Sequence, residues 1–191
     1  MHIGTVEDLF ISDAAKAAYH LWLELHREQD QLYPKRYELD WEKLPDTIQP
    51  HCFIMAYLGE TVLSIAHAGS AIEAFLGSNV EGQNILATRQ EEQHAIELEY
   101  YRAVFNQPCA GLIIRRTKNI KGNESDFNAI HLPLLDYRNK VRYLLGIVHI
   151  SNRDAPAQED TQNIYGASAV KTRTIIDIGS GIPSAHSGNP A

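Results

Sequence analysis

Cysteine is scarce in this chain. Cys52 and Cys109 are its only two among 191 residues. So few, so far apart, exclude a disulfide framework and any paired-cysteine metal spacing. Each stands at the start of a predicted strand and reads as a buried thiol, the usual setting of a free cysteine. Long apolar runs are also missing, so no segment suits a membrane helix. Basic residues are outnumbered, with 17 Lys and Arg against 24 Asp and Glu, for a net charge of −7. That balance argues against a nucleic-acid binder, which needs a basic face. The opening MHIGTVEDLF has no basic region followed by an apolar core. It is therefore not read as a signal peptide, and a cytoplasmic setting is expected. The chain has no phosphate loop, no Ser/His/Asp order with a nucleophile turn and no paired inward carboxylates.

What is present centres on residues 126–152. Phe127 to Leu134 reads as a strand, Asp136–Tyr137–Arg138–Asn139 as a tight reversal, and Val141 to Ile150 as a second strand. In the second strand one face carries Leu144, Gly146, Val148 and Ile150. The other carries Val141, Tyr143, Leu145, Ile147 and His149. Both faces are apolar, which places this strand in the middle of a sheet covered on both sides.

The rest of the chain supplies neighbours and covers. A helix capped by Asp13 is expected to run to about Gln31, with a stripe at Ala14, Ala18, Leu21, Trp22 and Leu25. That stripe suits either a cover for the sheet or a dimerisation surface at Ala18, Leu21, Trp22 and Leu25. Asp40 caps a short turn. His51–Leu58 and Thr61–His67 form a hairpin about Gly59–Glu60. Ser70 caps a short helix that Gly77 ends. A long helix runs from about Arg89 to Asn106. Its inner stripe is His94, Ile96 or Glu97, Tyr101, Val104 and Phe105. Glu91, Glu92, Glu97 and Glu99 read as a solvated acidic face. Cys109–Thr117 is the next strand, and Lys121–Gly122–Asn123 turns it into the central hairpin. Residues 153–191 read as a flexible tail. Its apolar island Thr174–Ile178 is able to join a sheet edge here or on a partner.

This order implies an α+β fold: a five-stranded antiparallel sheet, helices over one face and the N-terminal helix over the other. The expected parts are an N-terminal helix in 1–35, a domain in 36–152 and the tail in 153–191.

Several short motifs fall in a set order within about residues 15–152. They are Trp22, Leu44–Pro45, Ala66–His67–Ala68–Gly69 leading to Ala71–Ile72–Glu73, and Gly77 to Gly82. Leu132–Pro133–Leu134 and Leu144–Leu145–Gly146 complete the series. In this respect the chain resembles the bacterial, mostly single-domain PAS family. The resemblance implies a sensory or protein-interaction module, not an enzyme, acting through a signalling partner; a homodimer is expected separately, from the stripe of the N-terminal helix. The resemblance also implies a pocket between the long helix and the inner sheet face, open to a small organic ligand. Candidates to line it are Ile85, His94, Tyr101, Phe105, Arg115 and His131.

The resemblance leaves the cofactor unknown. The covalent flavin photocycle of some relatives needs a cysteine that Gly82–Gln83–Asn84–Ile85–Leu86 lacks. His94 is the one residue placed like a haem ligand, and a solvent-edge histidine is the plainer reading. His20 and His26, six apart, do not share a turn as a metal pair would. Arg115 and Arg116 point to opposite faces, so one of them either meets an anion in the pocket or guards a sheet edge. Tyr100 and Tyr101 read as packing or pocket wall. The alternative function is a small-ligand carrier or an enzyme using the same pocket, with His94, Tyr101 or His131 as its polar groups.

Overall fold

The structure is a computed structural model that describes residues 12–27, 32–59, 61–87, 91–118, 124–152 and 169–183. The elements are α1 (Asp13–Arg27), β1 (Cys52–Gly59), β2 (Val62–Ala68), α2 (Ser70–Leu76), α3 (Glu91–Asn106), β3 (Ala110–Lys118), β4 (Glu124–Leu135), β5 (Val141–Asn152) and β6 (Ala169–Ile176). Three short 3-10 turns lie between α1 and β1. The sheet is antiparallel in the order β2-β1-β5-β4-β3-β6.

The doubly apolar strand is central, as its sequence requires. β5 pairs with β1 on one side and with β4 on the other. The reversal before it is built by Asp136, whose carboxylate accepts from the N–H groups of Arg138 and Lys140. Asn139 supplies the left-handed residue at φ 60°, which an Asn tolerates.

The sheet has six strands, not five. The sixth comes from the segment expected to be flexible tail: β6 pairs antiparallel with β3, from Ala110↔Ile176 to Arg116↔Ala169. Pairing at an edge needs only main-chain groups, so a short Val/Ile/Thr run suffices. Residues 153–168 and the expected turn at Lys121–Gly122–Asn123 lie outside the described residues.

One sheet face carries Phe53, Met55, Ala129, His131 and Arg115, and α2 and α3 fold over it. The other carries Ile54, Leu132, Leu145 and Ile147, all buried. Its cover comes from α1, which packs against β5, and from Trp41, which stacks on His67 at 5.2 Å between centroids. In α1 the buried stripe is Ala15, Ala18, Tyr19 and Trp22. Ala18 and Trp22 therefore belong to the chain's own core and are not free for a partner; Leu21 and Leu25 are half-buried.

Trp22 also explains Leu132–Pro133–Leu134. Proline has no N–H to give a ladder. β3 pairs with β4 only as far as His131, so Pro133 lies past the last rung on that side. Its carbonyl accepts instead from Trp22 Nε1 at 3.0 Å.

Two caps differ from the sequence reading. The Ser12 hydroxyl, not Asp13, accepts from the first turn of α1 through Ala15 N–H. Gly69, not Ser70, precedes α2, with no side-chain cap. Asp40 does cap its turn, accepting from Glu42 N–H. The described part of the first helix ends at Arg27, and residues 28–31 lie outside it. No helix among the described residues is long and apolar enough to cross a membrane.

Candidate functional site

His131 sits where three strands meet. It pairs with Gly111 on β3 and Gly146 on β5. Neither neighbour has a side chain, and the space is used. A Cβ on Gly111 would strike the Tyr100 hydroxyl, and one on Gly146 would strike the Phe53 ring. The imidazole is thus enclosed edge-on by Phe53, Tyr100 and Tyr101, with centroids 5.3–5.7 Å away. It is 0% exposed.

Both ring nitrogens are engaged. Nδ1 lies 2.8 Å from the Tyr100 hydroxyl and Nε2 3.5 Å from that of Tyr101. A neutral imidazole carries one N–H, so one tyrosine donates and the other accepts. Burial, and then the Arg115 charge, push the His131 pKa down to about 3. The ring is therefore neutral at ordinary pH. Burial and the neighbouring Tyr101 push the Tyr100 hydroxyl well above its ordinary value.

The network continues through Arg115. Its Nη2 donates to the Tyr101 oxygen at 3.1 Å and its Nη1 to Glu97 Oε2 at 3.0 Å. Burial alone lowers the guanidinium pKa, but Glu97 and Tyr101 outweigh it, and the value ends above the ordinary one. Glu97, Arg115, Tyr101, His131 and Tyr100 thus form one buried polar chain with no net charge. Here the reading of Glu97 as solvated is corrected: it is 0% exposed. It lies one turn before Tyr101 on α3, so it shares the inner face. Glu99 is exposed, and the side chains of Glu91 and Glu92 lie outside the described residues. Arg115 does not guard an edge either, because β6 covers β3. Arg116 points to the opposite face, 3.6 Å from Asp126.

Tyr101, Arg115 and His131 of this polar chain line a cavity of about 90 Å³. Most of the remaining lining is apolar: Phe53, Met55, Ile65, Phe127 and Ala129 from the sheet, Ile72 and Leu76 from α2, Val80 and Ile85 from the following loop; Gln83, Asn84 and Thr117 add polar groups. The loop is tied to β2. Ile65 N–H donates to Gln83, Gly82 N–H to Ile65, and Ile85 N–H to Leu63. The Asn84 side chain accepts from Leu63 N–H and donates to the Thr61 carbonyl. One segment thereby lines the cavity and covers the β2 edge.

Four of the six expected pocket residues line this cavity: Ile85, Tyr101, Arg115 and His131. His94 does not; it is half-buried farther along α3. Nor does Phe105, which stacks on Tyr57 at 4.8 Å. The residues present do not fit a haem or a flavin. Pockets for molecules that size run to about 300–1,000 Å³, and His94 is not at the wall. Among the described residues no group of three or more metal-ligating side chains gathers. His20 is exposed, and the side chain of His26 lies outside the described residues. Sequence reading missed Phe53, Gly111 and Asn84 as parts of the site, and left Glu97 open between the inner stripe and the acidic face. The signal for Glu97 was its four-residue spacing from Tyr101.

The architecture is an open antiparallel sheet with helices folded over a small, partly open cavity. The family model described as PAS domain matches residues 11–149, and the chain belongs to the PAS domain family. No curated protein matches the chain. The matched region ends within β5, so β6 lies outside it.

Proposed function

We propose that this chain is a sensory module whose input is a small, uncharged, largely apolar molecule, and that a partner protein receives the output. The observation that carries the reading is the buried polar chain at the wall of a largely apolar cavity, to which Gln83, Asn84 and Thr117 add uncharged polar groups. Its one cation is already balanced by Glu97 at 3.0 Å, and His131 is neutral. An anionic ligand would bring an uncompensated charge out of water, which is costly. A neutral ligand with one acceptor is favoured, since a guanidinium has five N–H donors and Arg115 uses two of them inside the fold. Size narrows the class further. A cavity of about 150 Å³ takes a benzene-sized molecule, so about 90 Å³ suits one of at most about six non-hydrogen atoms.

Turnover is not part of this reading, because both His131 nitrogens are held by tyrosine hydroxyls. We also propose self-association through α1, which falls to the half-buried Leu21 and Leu25. Changing both to Glu is expected to convert a dimer to a monomer in light scattering; an unchanged dimer places the interface elsewhere.

Butyramide and butyrate test the ligand class, being nearly the same size and differing in charge. In a ¹⁵N-NMR titration butyramide is expected to shift the amides of Tyr101, Arg115 and His131, and butyrate to leave them in place. Preference for butyrate would overturn the ligand class alone. No response to any small probe would overturn the cavity as the input.

A further inference from the structure

β6 is held differently from the other strands. Its Lys171, Thr172 and Arg173 are exposed, and among its described side chains only Ile176 is buried. Its hold is main-chain pairing to β3, packing of Val170, Ile175 and Ile176 on the core and a few polar ties. Lys171 Nζ meets Asp126 at 3.2 Å, and Arg173 Nη1 meets Glu99 at 3.2 Å and the Ile96 carbonyl at 3.0 Å. Val170 N–H donates to the Gln93 side chain. Main-chain bonds for affinity and alternate side chains for specificity are how an added strand is recognised. β6 also lies beyond the part of the chain that the family model matches.

Two distances bear on how it got there. From the end of β5 to the start of β6 the chain must cross three strand spacings, about 14 Å. Residues 153–168 reach about 50 Å when extended. The connection does not force β6 onto this edge.

The same two turns of α3 that β6 grips also serve the cavity. Gln93, Ile96 and Glu99 bind β6, while Glu97 between them reaches inward to Arg115. In register, Arg115 pairs with Val170 of β6. The Glu97–Arg115 pair and the groups that hold β6 therefore share one stretch of α3.

We infer that the β3 edge, with the two turns of α3 at residues 93–99, is a strand-docking site of which β6 is the displaceable resident. Its other occupant is an extended segment of a partner with the same chemistry. Such a segment carries β-branched residues for the ladder and a basic side chain for Glu99 and the Ile96 carbonyl. This goes beyond the ligand reading and does not depend on it.

The test is a fluorescein-labelled peptide of sequence AVKTRTII, added to the full chain and followed by anisotropy. The tethered resident competes at an effective concentration in about the millimolar range, so the unaltered chain is expected to bind weakly. Arg173→Glu places the resident's charge against Glu99 and weakens only the resident. This chain is expected to bind the peptide at least tenfold more tightly, and a peptide with Glu at both basic positions is expected not to bind. Lys171→Glu, on an exposed side chain, is the second variant and is expected to act in the same direction. Equal affinity of the peptide for the altered and unaltered chains, or none for either, overturns the inference.

Discussion

Glu97→Gln removes one charge of the buried pair while keeping the shape. Arginine cannot escape by losing its proton, so Arg115, 6% exposed, keeps a charge that nothing cancels. At an effective dielectric of about 20, two charges about 4 Å apart attract by about 4 kcal/mol. Breaking a buried pair by removing one partner costs about 3–5 kcal/mol, in line with that figure. Domains hold only about 5–15 kcal/mol in total. With a urea m-value of about 2 kcal/mol/M, the unfolding midpoint is expected to fall by about 2 M. Arg115→Met is expected to cost a similar amount by leaving the carboxylate without its cation. The double variant Glu97→Gln/Arg115→Met has no buried charge at this wall and is expected to regain most of the loss. Far-UV circular dichroism in urea measures all four corners of the cycle. A midpoint unchanged in Glu97→Gln, or a double variant that loses the sum of both singles, refutes the pairing as the organising feature of the wall.

Other consequences follow from the same geometry. The folded state holds His131 near pKa 3, below the ordinary value of about 6.5, so between those limits the unfolded chain takes a proton that the folded one refuses. Stability is expected to rise with pH across that window, by up to about 1.4 kcal/mol per unit from this group. His131→Asn is expected to lack that component when the two stability–pH curves are subtracted, and parallel curves would contradict it. Trp22→Phe loses the hydrogen bond to Pro133 and part of the cover of the second face. It is expected to cost about 1–3 kcal/mol in urea unfolding, and a cost near zero would place Trp22 outside the core. Burial pushes both thiols up to about 12, so Cys52 and Cys109 are expected to react with a thiol reagent only on unfolding. Rapid labelling of the native protein would contradict their placement.

Much of the fold was legible because it rests on local patterns. The two apolar faces of residues 141–150 fixed the central strand, and Asp136 with Asn139 fixed the turn before it. Gly77, at φ 72°, ends α2 as its sequence suggests. The strand at 169–176 was harder to place. An edge strand makes few side-chain demands, so Thr174–Ile178 was compatible with this sheet or with a partner's. The site was legible in part. Tyr101, Arg115 and His131 stand out as polar residues in apolar surroundings, but their partners depend on register. Glu97 fitted either the inner stripe or the acidic face of its helix until α3 was set against Arg115. Gly111 and Gly146 show their purpose only when both flank His131 across three strands. His94, by contrast, lay near the apolar stripe in sequence but did not reach the cavity. The stripe on α1 allowed both a cover and an interface, and Ala18 and Trp22 went to the cover.

The central claim is that the cavity beside His131 holds a small uncharged molecule. Native mass spectrometry of the freshly purified chain, set against its denatured mass, tests it most directly. The account predicts an added mass smaller than that of a flavin or a haem, lost on denaturation, and displaced by butyramide but not by butyrate. Equal native and denatured masses, together with no stabilisation by either probe, would contradict it.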